Sequence, residues 1–515
     1  MGFKQRINGV LLPISALPGS PLCGDFGDGA RRFVSFLHRA GQKAWQVLPL
    51  NPIDECSSPY SSLSTFAGDL IYIDIIDLVR AGLLKPCDVA GTPQGPKTHA
   101  AFCAVRNVKT KLLHQAFVNF RQSRGTKYHD AFERFVDETP WLGPHAIFCA
   151  LSEKYGTADW TAWTDDGVRN ADQDALKRAL ADDPELEKSA AFATFVQVVL
   201  DVQWNELRDY CRQHGVSLIG DIPIYVSQHS VDTWANRHLF QLGMTGHMAR
   251  VAGVPADSFN PDGQRWNAPL YDWEVLKAEG YSWWLHRIGN ALRQFDMVRL
   301  DHFIGFYNYF SMPPHHEAAD PGSWIPGPAD DFFEAILEEY PDAQLIAEDL
   351  GVMNPGVHQL RDKYDFPGIN VLQFQFDFRR NTDATAEWKE NSLVCSGTHD
   401  TNTLSAWFDE VLEDRKKPEP FWDCTFLLDM IKQFLPLGCP VNRETALWGL
   451  IRKVMSSPGK VAIFPMQDLL GLPASARTNF PGRASGNWVW RLDGSLLTEE
   501  LADHLKLWTT EFGRE

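Results

Sequence analysis

VRLDHF, residues 298–303, starts like a buried strand with Met297 ahead of it and ends in Arg299, Asp301 and His302. A strand that finishes in three ionisable groups is poor core material. It is what a parallel α/β barrel presents at the carboxyl ends of its strands, where such folds carry their chemistry. Working outward, short apolar runs recur at Gly9–Ile14, Ala44–Leu50, Val216–Ile222, Met297–Leu300, Gln344–Ala347, Ile369–Phe374, Leu393–Ser396 and Val461–Pro465. Between them lie stretches of helical periodicity. Val196, Leu200, Trp204 and Leu207 share one face, as do Trp284, Ile288 and Leu292, and Leu447, Leu450, Ile451 and Val454. Eight strands alternating with helices predict an α/β chain folded as a (β/α)8 TIM barrel.

The barrel is decorated. The gap between the second and third runs is too long for one crossover, so residues 79–190 are expected to hold a helical insertion, opened by the turn-rich GTPQGPKTH at 91–99. A second insertion is expected at 227–280. No internal repeat or heptad array is visible. The chain stops soon after the eighth run, so no C-terminal β-sandwich domain is expected, and residues 1–515 read as one decorated catalytic domain.

Composition narrows the function. The chain has 515 residues, 44% hydrophobic and 22% charged, with a net charge of −18. Such a balance argues against nucleic acid or an anionic membrane surface as partner. No apolar stretch reaches the ~20 residues of a spanning helix. Pro13 and Pro18 interrupt the only run that looks like a signal peptide. Nine scattered cysteines, with no CxxC and no metal-ligand spacing, suggest reduced thiols in a cytoplasm.

Other predicted strand ends repeat the pattern: Asp221 in GDIPIYV, Glu348 and Asp349 in IAEDLG, His399 and Asp400 in GTHD, and Gln467 and Asp468 in PMQD. A single Asp after a strand is commonly a helix cap, and Asp349 and Asp468 fit that reading well. The concentration on one face is what points to a site, because clustered like charges raise one another's pKa. Two chemistries use such a cluster. A divalent-metal hydrolase is one, although neither HxH nor HExxH occurs. Cleavage of a glycosidic bond by paired carboxylates is the other. An arginine beside one carboxylate favours its charged form, and Arg299 points to the same strand face as Asp301. Sugars suit the 18 tryptophans, several in polar surroundings: Trp266, Trp324 and Trp488.

These motifs resemble the amylomaltases, or 4-α-glucanotransferases, of the α-amylase clan. The resemblance runs from GVLLPISALPG at 9–19 through GQKAWQVLPL at 41–50, SSPYSSLSTFAGD at 57–69, GDIPIYV, VRLDHF, IAEDLG, GTHD and PMQDLLGL to GNWVWRL at 486–492. It implies a retaining transferase that moves a segment of an α-1,4-glucan to the 4-hydroxyl of an acceptor glucan or glucose, with no cofactor and no metal. Asp301 matches the family nucleophile, Glu348 the general acid/base and Asp400 the transition-state stabiliser. Asp221, Arg299 and His399 match positions around the sugar at the cleavage point; Ser58, Tyr60, Gln264, Trp266 and Asn479 match further glucan contacts. The loop 254–266, with Phe259, matches a flexible cover over the cleft. The chain departs from the family pattern at Ile304, at Ser258, and at Thr401-Asn402 after GTHD, which bears on acceptor preference and product size. A hydrolase on the same scaffold and a non-catalytic glucan-binding protein are the alternatives.

Overall fold

The structure is a computed structural model that describes residues 5–53, 58–256, 263–314, 322–351, 354–376, 388–483 and 485–515. Its strands, in chain order, are β1 (Ile7–Leu11), β2 (Ala44–Gln46), β3 (Ser217–Ile222), β4 (Val251–Val254), β5 (Gln264–Pro269), β6 (Met297–Leu300), β7 (Asn308–Met312), β8 (Ser323–Pro326), β9 (Leu345–Ala347), β10 (Gly368–Val371), β11 (Ser392–Cys395) and β12 (Val461–Pro465). Eight of them close a parallel barrel in the order β1-β2-β3-β6-β9-β10-β11-β12. Each overlaps one of the eight apolar runs.

The barrel wall follows from the period-2 pleat. Ile7, Leu11, Ile219, Met297, Ile346, Ile369, Leu393, Val461 and Ile463 meet inside as one apolar plug. Their neighbours Leu218, Val298, Leu345, Val394 and Ala462 point outward into the much larger core beneath the helices. The strands are therefore apolar on both faces, as expected of a sheet covered by helices. The helix Pro184–Gln213 starts with Asp183 accepting from the Leu186 N–H and Pro184 at its first position. Its Val196, Leu200, Trp204 and Leu207 are all buried. Helix Arg443–Ser456 buries the stripe read from its sequence in the same way, and helix Ser282–Gln294 buries Trp284 and Ile288, with Leu292 partly buried beside them.

Between β2 and β3 the chain forms the helices Phe102–Gln122, Lys127–Glu138, Leu142–Tyr155 and Gln173–Asp182 before entering Pro184–Gln213. This region is fastened to the barrel through Lys109. Its buried ammonium donates to the Ile71 and Ile73 carbonyls at 2.6 Å each and to Asp25 Oδ2 at 3.1 Å.

The second elaboration differs from a purely helical one. β4 and β5 pair with β7 and β8 in a four-stranded antiparallel sheet, ordered β5-β4-β7-β8. Two segments far apart in sequence, 251–269 and 308–326, build it together. Each strand is short and none shows clean alternation, so neither segment announces itself alone. The expected cover loop at 254–266 lies partly outside the described residues, and Ser258 and Phe259 with it. Among the described residues no helix is long and apolar enough to cross a membrane.

Removing the ammonium at Lys109 leaves two carbonyls and a buried carboxylate without their donor. Lys109→Met is expected to lower unfolding free energy by about 3–5 kcal/mol, read from the midpoint of a urea titration at unchanged slope.

Candidate active site

The site begins with strand register. On neighbouring barrel strands Asp221 of β3 is the direct partner of Arg299 of β6, and both point inward at the carboxyl end. The Arg299 Nη1 lies 2.8 and 2.9 Å from the two Asp221 oxygens and 2.8 Å from Asp301 Oδ1. Its Nη2 lies 3.8 Å from Glu348 Oε2. One guanidinium thus stands among three carboxylates from three strand ends. Asp301 still belongs to the barrel rim, since its N–H donates to the Ile222 carbonyl at 3.0 Å. Glu348 is held likewise, its N–H donating to Leu300 O at 3.1 Å.

His302 turns the chain out of the strand. Its φ is +49°, a left-handed conformation that non-glycine residues adopt at some cost. The turn aims the His302 N–H at Glu348 Oε2, 2.8 Å away, and the Leu350 N–H donates to Oε1 at 3.2 Å. Burial is the dominant influence on Glu348 and pushes its carboxyl up to about 8; the charge of Asp301 adds to this, while Arg299 and the His302 N–H oppose it. Burial also raises Asp221, against the pull of Arg299. Burial works against the charge on Arg299, but Asp221 and Asp301 outweigh it and hold the guanidinium firmly protonated.

Two aromatic walls flank these groups. On one side Tyr60 donates its hydroxyl to Asp221 Oδ2 at 2.7 Å and stacks on His399, centroids 5.0 Å apart and planes at 21°. Trp488 leans on both rings at 5.7 and 5.8 Å. Ser58 shapes the turn that presents Tyr60, its Oγ accepting from the Tyr60 N–H at 3.3 Å. Asp400 stands at the open edge. Its Oδ1 accepts from Asn479 Nδ2 at 2.6 Å, its Oδ2 lies 3.5 Å from His399 Nε2, and its carbonyl accepts from Arg477. Gly397 lets this loop approach closely, because a β-carbon there would sit 2.5 Å from Thr401 Oγ1 and 2.8 Å from Gln373 Nε2. On the other side, β5 brings Gln264 and Trp266. Trp266 donates to Gln264 Oε1 at 3.0 Å, and its ring meets His302 edge-on at 4.8 Å.

The residues singled out from sequence therefore gather around one cleft: Asp301, Glu348, Asp400, Ser58, Tyr60, Asp221, Gln264, Trp266, Arg299, His399 and Asn479, with Phe259 outside the described residues. Asp349 and Asp468 serve structure. Asp349 pairs with Arg361 and accepts from the Ile369 N–H at 2.9 Å; Asp468 accepts from the Leu404 N–H at 2.7 Å and the Ser396 hydroxyl at 2.6 Å. Trp324 packs on Phe310 in the antiparallel sheet. Ile304 is buried in the core at the start of a short helix, so this departure from the family pattern is a packing residue. Sequence reasoning missed the backbone role of His302 and the hold of Arg477 on Asp400; neither leaves a signal in residue spacing.

A parallel barrel whose strand ends gather acids around an arginine between aromatic walls defines a class, the barrel enzymes that act on glycosidic bonds. A sequence model described as 4-alpha-glucanotransferase matches residues 12–498. The 4-alpha-glucanotransferase of Synechocystis sp. is 38% identical over 99% of each chain, and that of Thermus thermophilus is 36% identical over 97% of each. The structure of the amylomaltase from Streptococcus agalactiae in complex with acarbose superposes with a TM-score of 0.91 at 30% identity, covering 99% of this chain and 100% of that one. The chain belongs to the 4-alpha-glucanotransferase family, enzymes that move a segment of an α-1,4-glucan from donor to acceptor.

Replacing Arg299 by Met removes the cation the carboxylates share. Glu348 and Asp221, already raised by burial, then rise further. A raised carboxyl gives its full stability below its ordinary value and loses it as pH rises through the folded value, about 8 for Glu348 in the unaltered protein. Arg299→Met is therefore expected to cost about 3–5 kcal/mol at pH 9, and the gap in Tm from wild type should narrow steadily as pH is lowered toward 5 in a calorimetric series.

Proposed function

We propose that Asp301 is the nucleophile, Glu348 the general acid/base and Asp400 the stabiliser of the transition state. The observation that carries this assignment is the unlike setting of two neighbouring acids. Asp301 is paired with Arg299 at 2.8 Å, whereas burial lifts Glu348 to about 8, so Glu348 carries its proton at neutral pH. A pair of carboxyl groups whose environments differ in this way divides into nucleophile and acid.

Asp301 attacks the anomeric carbon of an α-1,4-glucan while Glu348 protonates the departing 4-oxygen. A covalent β-glycosyl-enzyme and a shortened glucan result. Glu348, now ionised, takes the proton from the 4-hydroxyl of the incoming acceptor, whose oxygen displaces Asp301 and restores the α-linkage. Asp400, steadied by Asn479, holds the ring hydroxyls through bonds that tighten as positive charge develops. Asp221, Arg299, Tyr60 and His399 surround the donor sugar; Ser58, Gln264, Trp266, Asn479 and Phe259 contact flanking units. The donors and acceptors are maltooligosaccharides from starch, glycogen or maltodextrin. The helical insertion at 79–190 and the insertion at 227–280 flank a single catalytic domain, and an acceptor cleft occupied by glucan keeps water out so that transfer outruns hydrolysis. The eight described cysteines are free thiols, exposed Cys87 and Cys103 included, which supports a reducing cytoplasm.

Three outcomes test this reading. Maltotriose should yield glucose and longer chains with the number of reducing ends unchanged; a rise in reducing ends would make the enzyme a hydrolase. Because only protonated Glu348 can release the leaving group, kcat/KM should fall about tenfold per pH unit above its folded value of about 8, and Glu348→Gln should abolish that limb along with most turnover. Asp301→Asn should bind maltooligosaccharides but turn over at least a thousandfold more slowly (about 4 kcal/mol or more in barrier); near-normal turnover removes Asp301 from the nucleophile role.

A further inference from the structure

We propose that Arg477 is a positioning residue for Asp400: one guanidinium clasps the loops that follow two neighbouring barrel strands and so fixes where the third acid stands. The proposal rests on the transition-state role assigned above to Asp400, and it adds a residue that acts only through that acid.

Asp400 needs an external hold. Its side chain is half exposed, and among the described residues its carboxylate has two polar neighbours, Asn479 Nδ2 at 2.6 Å and His399 Nε2 at 3.5 Å. An exposed carboxylate with so few restraints samples several rotamers unless its backbone and its partner are both fixed. The loop that carries it is tied down near its ends. Asp468 accepts from the Ser396 hydroxyl and the Leu404 N–H, and Gln373 donates to the Asn402 carbonyl at 2.9 Å. At residue 400 itself the loop supplies one bond of its own, from the Asp400 N–H to Thr398 Oγ1 at 3.2 Å. The rest of the hold comes from outside it.

Arg477 lies in the loop after β12, the barrel neighbour of β11, which GTHD follows. Its Nη2 donates to the Asp400 carbonyl and its Nε to the Asn479 carbonyl at 2.7 Å. The two residues whose side chains meet are thus held by their main chains to one rigid, planar group. The Asn479 N–H closes the clasp by donating to the His399 carbonyl at 3.1 Å. Arg477 is itself held. Gln467, from the PMQD motif, donates to the Ala476 carbonyl at 3.1 Å and to the Thr478 hydroxyl at 2.9 Å, one residue to either side. The guanidinium also lies over the Phe480 ring, 4.5 Å from its centroid. The choice of partners gives the clasp its meaning. Both hydrogen bonds of Arg477 go to carbonyls, and the Asp400 carboxylate is left to Asn479. A cation paired with that carboxylate would neutralise it where positive charge develops on the sugar. A cation that grips the backbone places the carboxylate and leaves its lone pairs to the sugar hydroxyls. Lysine, with one nitrogen on a flexible stem, does not reproduce the fork.

The experiment measures kcat and KM of the whole enzyme on maltotriose, well below each Tm, for Arg477→Lys, Arg477→Met, Asp400→Asn and the double variant of Arg477→Lys with Asp400→Asn. Arg477→Lys is expected to lower kcat about ten- to a hundredfold, the scale of a catalytic group misplaced by up to ~1 Å. Its KM should stay within about threefold of wild type, because the bonds concerned tighten only in the transition state. Arg477→Met should match it, and Arg477→Lys carries the test if the methionine variant does not fold. Because Arg477 acts through Asp400, adding Arg477→Lys to Asp400→Asn should lower kcat by less than about twofold more. A lower Tm with unchanged kcat overturns the proposal, since that marks a structural tie alone. So does a full additive loss in the double variant, or a lysine variant of wild-type kcat beside a crippled methionine variant, which would make charge sufficient. If Asp400→Asn alone keeps wild-type kcat, the role assigned to Asp400 falls instead, and that result is read without any change at 477.

Discussion

A single guanidinium, that of Arg299, sits almost fully out of water with carboxylates of Asp221, Asp301 and Glu348 around it. Each of those acids alone would be costly to place at the barrel rim, and together they would repel. The shared cation makes the group tolerable, but it does so unevenly. Asp221 has both oxygens within 2.9 Å of Arg299 and no exposed side-chain surface, and burial still wins, raising its pKa. Glu348 is 3.8 Å from the guanidinium and also buried, and burial wins again, to about 8. Asp301 keeps a quarter of its side chain in solvent and a bond of 2.8 Å to Arg299. The three acids thus differ in distance and solvent access around one residue.

The barrel supplies the distances. Because inward positions recur every second residue, Asp221 and Arg299 meet as register partners, and Glu348 follows Ile346 by one inward step on the next strand. The apolar plug below, with Ile219, Met297 and Ile346, holds those strands in place. Above the rim, the left-handed turn at His302 converts a strand end into a donor aimed at Glu348. The antiparallel sheet then leans Trp266 against that turn. Core packing, backbone strain and cleft wall meet within six residues, 297–302, of one strand.

Much of this was legible in the chain. All eight barrel strands overlap the apolar runs, since a strand covered on both faces must be apolar on both faces. The helical stripes of 184–213, 282–294 and 443–456 were legible for the parallel reason, with one wide face buried on the barrel. The carboxylates around Arg299 stood out because ionisable residues at the end of an apolar run have no packing purpose. The antiparallel sheet was not legible. Its pairings join 251–269 to 308–326, and no periodicity within either segment records a partner tens of residues away. The same limit hid the hold of Arg477 on Asp400.

The sequence by itself determined the fold class and the strand ends on which ionisable residues collect, because period, polarity and residue type are local properties. The tertiary structure decided how strongly burial raises Glu348, which rings stand against one another across the cleft, and which groups Asp349 and Asp468 hold. Those outcomes depend on burial and on charges brought near from other strands. A pKa or a stacking contact is a property of what surrounds a residue, and those surroundings exist only once the barrel has closed.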